Sequence, residues 1–128
     1  MTAQAAATLW VMIVTGLSGE PQYAKSFASE AAALYDAAKE RWGVRDSGLV
    51  YLAEDPAADP RRITGKSTLV SIKSALTAFA TRARPNDVVA VFLIGHGSEQ
   101  GDEPKLSLPG PDLSPGDLAV QLLDGDGR

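Results

Sequence analysis

Residues 88–98 read VVAVFLIGHGS, seven apolar residues in succession followed by Gly95-His96-Gly97-Ser98. A run of this length without polar alternation is the pattern of a strand covered on both faces, as strands of parallel sheets are. The glycines end it abruptly, and the imidazole between them is the only one in the chain. Working outward, residues 8–15 (TLWVMIVT) are equally apolar on both alternating faces, and residues 49–53 (LVYLA) form a third such run. Between the first two runs in chain order, Phe27, Ala31, Leu34, Ala38 and Trp42 fall on one helical stripe. That predicts a helix over residues 21–42, with Pro21 in its first turn and Gly43 at the left-handed position that stops it.

Residues 54–62 are polar and broken by proline, a surface loop. A second helix is expected over residues 65–82, with Thr64 as N-cap and Leu69, Ile72, Leu76 and Phe79 as its buried stripe. Pro85-Asn86-Asp87 turns the chain into the run at 88–94. A polar excursion over 99–105 leads to LSLPGPDL. Ser114-Pro115-Gly116-Asp117 then supplies an N-cap, an N1 proline and an acidic N3, the chemistry of a capping box, for a short helix ending about residue 123. The order β-α-β-α-β-α predicts one three-layer α-β-α domain over residues 1–128, with a mostly parallel sheet and right-handed crossovers. With a strand order beginning 2-1-3, the chain reverses direction between its first and third strands. Such sheets bind ligands at the carboxyl ends flanking that point. Two segments meet there: the turn Gly16, Leu17, Ser18, Gly19 and Glu20, and the glycine-flanked His96.

Composition narrows the function. The chain has 128 residues, 45% of them hydrophobic, enough for a single core. A formal charge of −4 without a basic stripe argues against nucleic acid and anionic membrane surfaces as partners. With no cysteine there is no disulfide, no thiolate metal site and no thiol nucleophile in this chain. One histidine leaves a transition metal dependent on carboxylates without ligand spacing, so neither a metal nor a cofactor is expected. No run approaches the ~18 apolar residues of a membrane span. The opening MTAQAAATLW lacks the regions of a signal peptide, although Ala3-Gln4-Ala5 has the form of a cleavage site. Exported and cytoplasmic placements both stay open.

An imidazole, with an unperturbed pKa near ~6.5, is the usual general base at neutral pH. Glycines on both sides would let a substrate approach it; a loop histidine capping a strand is the alternative. TGKST at 64–68 has Pro60 where a phosphate loop needs its first glycine, which rejects nucleotide binding. Glu99, Asp102 and Glu103 read as solvated loop carboxylates rather than a cation site. Residues 16–19 (GLSG) fit either a phosphate cradle at a helix N-terminus or a plain turn. Ser18 and Ser98 are the hydroxyls nearest His96 in this layout, and neither lies in a Gly-x-Ser-x-Gly elbow.

VVAVFLIGHGS resembles the third strand, ending in His-Gly, of the caspase and legumain group of cysteine peptidases. PKLSLPGPDLSPGDLA is similar to the stretch of legumain-like enzymes and the GPI-anchor transamidase in which a short β excursion leads to a helix begun by Asp-Leu. WVMIVTGLSGE and its helix resemble their first strand and substrate-lining loop. The likeness spans nearly the whole chain in element order, and the His-Gly step with its apolar lead is its specific part. It implies a caspase-haemoglobinase-like fold in which His96 is the base, Gly97 an oxyanion donor, and Gly16, Leu17, Ser18, Gly19 and Glu20 line the pocket for a peptide or protein substrate. In that group the cysteine follows a fourth strand, about 50 residues after the histidine in caspases. Fewer residues than that follow His96, so the resemblance describes an apparently incomplete domain, inactive as it stands. A non-catalytic interaction or scaffold module on the same fold is the alternative, and a flavodoxin-like domain for a small anion is a third. Without a fourth strand, Val88–Ile94 would be an open apolar edge, which recruits a second copy or a C-terminal half unless residues 106–123 shield it.

Overall fold

In the computed structural model, which describes residues 7–100 and 103–124, alternation along β1 (Leu9–Thr15) divides the core in two. Trp10, Met12 and Val14 point to one face, where α2 (Leu69–Arg82) delivers Ile72, Leu76 and Phe79. Val11 and Ile13 point to the other, against Ala31 and Ala38 of α1 (Pro21–Glu40). Helices thus cover both faces, which is why the strands carry apolar residues at every position. β1 pairs in parallel with β2 (Leu49–Ala53) on one side and with β4 (Val88–Ile94) on the other. A two-residue strand, β3 (Gly65–Lys66), extends the sheet to the order β3-β2-β1-β4. The three strands read from sequence therefore lie in the expected 2-1-3 order, and the chain is α/β with a parallel main sheet. The polar excursion is a separate antiparallel hairpin of β5 (Gly97–Gln100) and β6 (Glu103–Leu106). α3 (Pro115–Asp124) packs on α2 and is tied to it by Lys73 and Asp117 at 3.2 Å.

Local chemistry accounts for the element ends. α1 stops at Glu40, two residues earlier than its stripe suggests, and Gly43 takes φ +68° just beyond. Trp42, now outside the helix and 40% exposed, stacks on Phe92 of β4 with centroids 5.9 Å apart. The N-cap of α2 is Thr68, not Thr64: its side chain accepts from the Ser71 N–H at 3.2 Å. Thr64 is drawn instead toward the sheet, its N–H donating to the Tyr51 carbonyl at 2.7 Å, and Gly65 and Lys66 of the TGKST stretch form the edge strand. At α3 the capping box forms as expected. The Asp117 N–H donates to the Ser114 hydroxyl at 3.2 Å, and the Ser114 N–H to the Asp117 carboxylate at 2.9 Å.

At the amino end of the sheet Asp87 gathers three donors: the Arg84 N–H (2.9 Å), the Thr8 N–H (2.8 Å) and the Trp10 indole N–H (3.1 Å). These bonds, the Arg84 one foremost, hold its carboxyl below the usual range. A carboxyl depressed by folding contributes stability that is present above its unfolded pKa, near ~3.9, and is lost as pH falls through the folded value. Asp87→Asn is therefore expected to lower the urea midpoint at neutral pH, with the gap to the parent closing in acid below that range. Equal gaps at both pH values would contradict the assignment.

Candidate functional site

The carboxyl ends of β1 and β4 touch backbone to backbone. The Gly16 N–H donates to the Ile94 carbonyl at 2.9 Å. A Cβ on Gly95 would stand 2.9 Å from Leu106 Cδ1 and 3.3 Å from the Gly16 nitrogen, and one on Gly16 would collide with the Ser107 carbonyl oxygen. The sequence suggests that both glycines beside His96 admit substrate. Gly95 instead serves this contact, and only Gly97 has room, its Cβ meeting nothing closer than the Lys105 oxygen at 3.6 Å. The segment after β6 completes the junction. The Ser107 carbonyl accepts from the Leu17 N–H (2.9 Å), and the Ser107 N–H donates to the His96 carbonyl (3.0 Å).

His96 is partly buried at this junction, its Nε2 3.0 Å from the Ser18 carbonyl oxygen. A carbonyl can only accept, so the bond assigns the proton to Nε2 and leaves Nδ1 as the basic nitrogen. Tyr23 and Phe27, one turn apart on α1, meet the ring edge-on with centroids 4.6 and 5.3 Å away. Ser18 is itself held: it is buried, and its hydroxyl donates to Glu54 Oε2 at 2.9 Å. Glu54 thus positions the imidazole through Ser18 without touching it. Neither Tyr23 nor Glu54 stands out in the sequence as a site residue, and Phe27 reads there as core. The available signals were positional: Glu54 follows β2 at the carboxyl end, and Tyr23 lies four residues before Phe27.

The hairpin register pairs Gly97 with Leu106, and the Ser107-to-His96 bond fixes its phase. Gly97 therefore occupies a non-hydrogen-bonded pair, with its N–H directed away from β6. The Ser18 hydroxyl is committed to Glu54, and the Ser98 hydroxyl is buried without a partner. Neither is bonded to the imidazole, so no serine nucleophile is assembled.

Of the turn residues, Gly16 and Ser18 are buried and Leu17, Gly19 and Glu20 are exposed. Gly19 turns the chain at φ +77°, and the Glu20 carbonyl accepts from the Tyr23 and Ala24 N–H groups to start α1. A cavity of about 70 Å³ lies on the α1 side, between this turn, Phe27, Tyr51 and Glu54. The Glu54 carboxylate against Ser18 makes the turn a poor cradle for an anion. Glu99 and Glu103 sit on the hairpin strands, while Asp102 and Ala3-Gln4-Ala5 lie outside the described residues. Among the described residues no three potential metal ligands converge, and no helix is long and apolar enough to cross a membrane. No family model and no curated protein matches the chain.

The two open-chain glycines at this site separate junction from surface. Gly16→Ala is expected to destabilise by about 1–3 kcal/mol, the cost of overpacking, and Gly97→Ala by under about 0.5 kcal/mol. Urea denaturation of both variants checks this, and similar losses would show that the Ser107 contact is dispensable.

Proposed function

We propose that the chain is the histidine-bearing part of a caspase- or legumain-like cysteine peptidase domain on a caspase-haemoglobinase-like fold, without turnover of its own because it has no thiol. The observation that carries this reading is the 3.0 Å bond from His96 Nε2 to the Ser18 carbonyl, which leaves Nδ1 as proton acceptor at the carboxyl edge of a parallel sheet. In acyl transfer, such a base takes the proton of a thiol and returns it to the leaving amine. The outward N–H of Gly97 is suited to a developing oxyanion. Leu17, Gly19 and Glu20 supply the exposed rim of a peptide-binding groove, with Gly16 and Ser18 contributing backbone beneath it.

The thiol would arrive on a strand added to β4. Its outer edge pairs with no described strand, and Val88 and Leu93 are 56% and 40% exposed. A non-catalytic interaction module on the same fold is the second reading, favoured by the combination of that open edge with a cysteine-free chain. The coding sequence after residue 128 separates the two. A further apolar strand ending in Cys supports the peptidase, and Ser, Thr or Ala in that place supports the module. In a chain so extended, His96→Ala is expected to lower peptide hydrolysis by roughly 10²–10⁴-fold. Unchanged turnover, or a following sequence with neither strand nor cysteine, refutes the peptidase reading.

Unextended, the chain is expected to pair with a second copy along β4. Sedimentation should then show concentration-dependent association that Leu93→Lys abolishes, because an edge lysine blocks strand addition. A parent chain that stays monomeric at every concentration rules this pairing out.

A further inference from the structure

We propose that the opposite, amino end of the sheet holds a binding site for a small phosphate dianion, either free or as the end group of a phosphomonoester. A cavity of about 180 Å³ opens there, lined by Arg45, Arg82, Arg84, Ser47, Trp10 and Asp87. Three arginines lining one opening is a marked concentration in a chain of net charge −4. Among the described residues the ion pairs use Lys39, Arg62 and Lys73, and none uses these three arginines.

The neighbouring acids are engaged elsewhere. Asp46, next to Arg45, pairs with Lys39 at 3.1 Å. Asp87 spends its oxygens on the Thr8, Trp10 and Arg84 N–H groups. Arg82 is already held in place: its guanidinium lies 5.0 Å from the Trp10 ring centroid, and Nη1 donates to the Ser47 carbonyl at 3.3 Å. A donor fixed in advance loses less freedom when a ligand arrives.

The ligand class follows from charge and size. Three guanidinium charges against one carboxylate leave an excess of two, which a phosphoryl dianion balances and a single carboxylate does not. Guanidinium forks match pairs of phosphoryl oxygens. The volume lies below the roughly 300 Å³ at which sites for drug-sized ligands begin, so the substituent on the phosphate is small. This end lies a full strand length from His96, and the proposal stands whether or not the peptidase reading does.

The test is a titration of the ¹⁵N-labelled chain at constant ionic strength with inorganic phosphate, O-phosphoserine and acetate. The Trp10 indole N–H, bonded to Asp87 within the cavity, is the reporter, and the Trp42 indole is the internal control. A saturable shift confined to Trp10 is expected with either phosphate and not with acetate. Tighter binding of phosphoserine points to an esterified ligand, and tighter binding of inorganic phosphate to the free ion. The double variant Arg45→Gln/Arg84→Gln is expected to weaken binding at least about tenfold, whereas Arg61→Gln, outside the cavity, leaves it unchanged. Should the double variant fail to fold, Arg45→Gln alone, which touches none of the Asp87 bonds, gives the same reading. A non-saturating shift, an equal response to acetate, or an equal loss in Arg61→Gln overturns the proposal and leaves an adventitious ion only.

Discussion

The junction at the carboxyl ends of β1 and β4 leaves no room for two side chains: one on Gly16 would strike the Ser107 carbonyl, and one on Gly95 would crowd Leu106 and the Gly16 backbone. Gly16 and Gly95 meet this condition, and the arrangement of the site follows from it. Their contact brings the turn after β1 under the end of β4, so that the first residue beyond Gly95 presents its ring to the Ser18 carbonyl. The Ser107 peptide then joins both sides, accepting from Leu17 and donating to His96. Three stretches of the chain are joined here by main-chain bonds, to which the His96 ring adds its own. The geometry of this junction therefore depends heavily on the absence of side chains at Gly16 and Gly95.

The imidazole is restrained at both ends. The main-chain carbonyl of His96 accepts the Ser107 N–H, the ring Nε2 donates to the Ser18 carbonyl, and two aromatic rings from α1 confine the ring plane. A carbonyl partner orients the ring without placing a full charge against it. A carboxylate, Glu54, acts one residue removed, by holding the Ser18 hydroxyl and with it the peptide that carries the accepting oxygen. Orientation and charge are thus separated: the ring is held by a neutral carbonyl, and the carboxylate acts on the peptide behind it.

Much of this was legible in the sequence, for identifiable reasons. Unbroken apolar runs pointed to doubly covered strands, which holds for β1, whereas β4 is only partly buried, with Val88 and Leu93 exposed along its unpaired edge. The alternation of runs with helices led to the 2-1-3 order and so placed His96 beside the end of β1. The stripe Ile72, Leu76 and Phe79 and the Ser114–Asp117 cap are local patterns, and they survive folding intact. What escaped was non-local. β3 is two residues long and has no periodicity to read; it exists because β2 has an unpaired edge. That pairing carries Thr64 toward the sheet and passes the capping role to Thr68, a competition between two threonines that helix propensity alone does not decide. Gly95 looked like an opening for substrate because a glycine needed for backbone contact and one needed for access are identical on paper. Tyr23 and Glu54 belong to the site only because α1 and β2 deliver them there from separate parts of the chain.

The two edges of the main sheet are finished differently, and the contrast bears on what the domain does. The β3 edge is two residues long and carries the exposed Lys66, the short and charged form that prevents strand addition. The β4 edge runs for seven residues, VVAVFLI, with no charge, no proline and no bulge in its pairing with β1. Segment 106–118 does not close it: Leu106, Leu113 and Leu118 lie beside Leu93 around an open apolar cavity of about 290 Å³. Among the described residues the longer, more apolar edge is thus the one left bare. That edge ends where His96 and the outward N–H of Gly97 stand. A strand laid parallel along it would finish beside the imidazole.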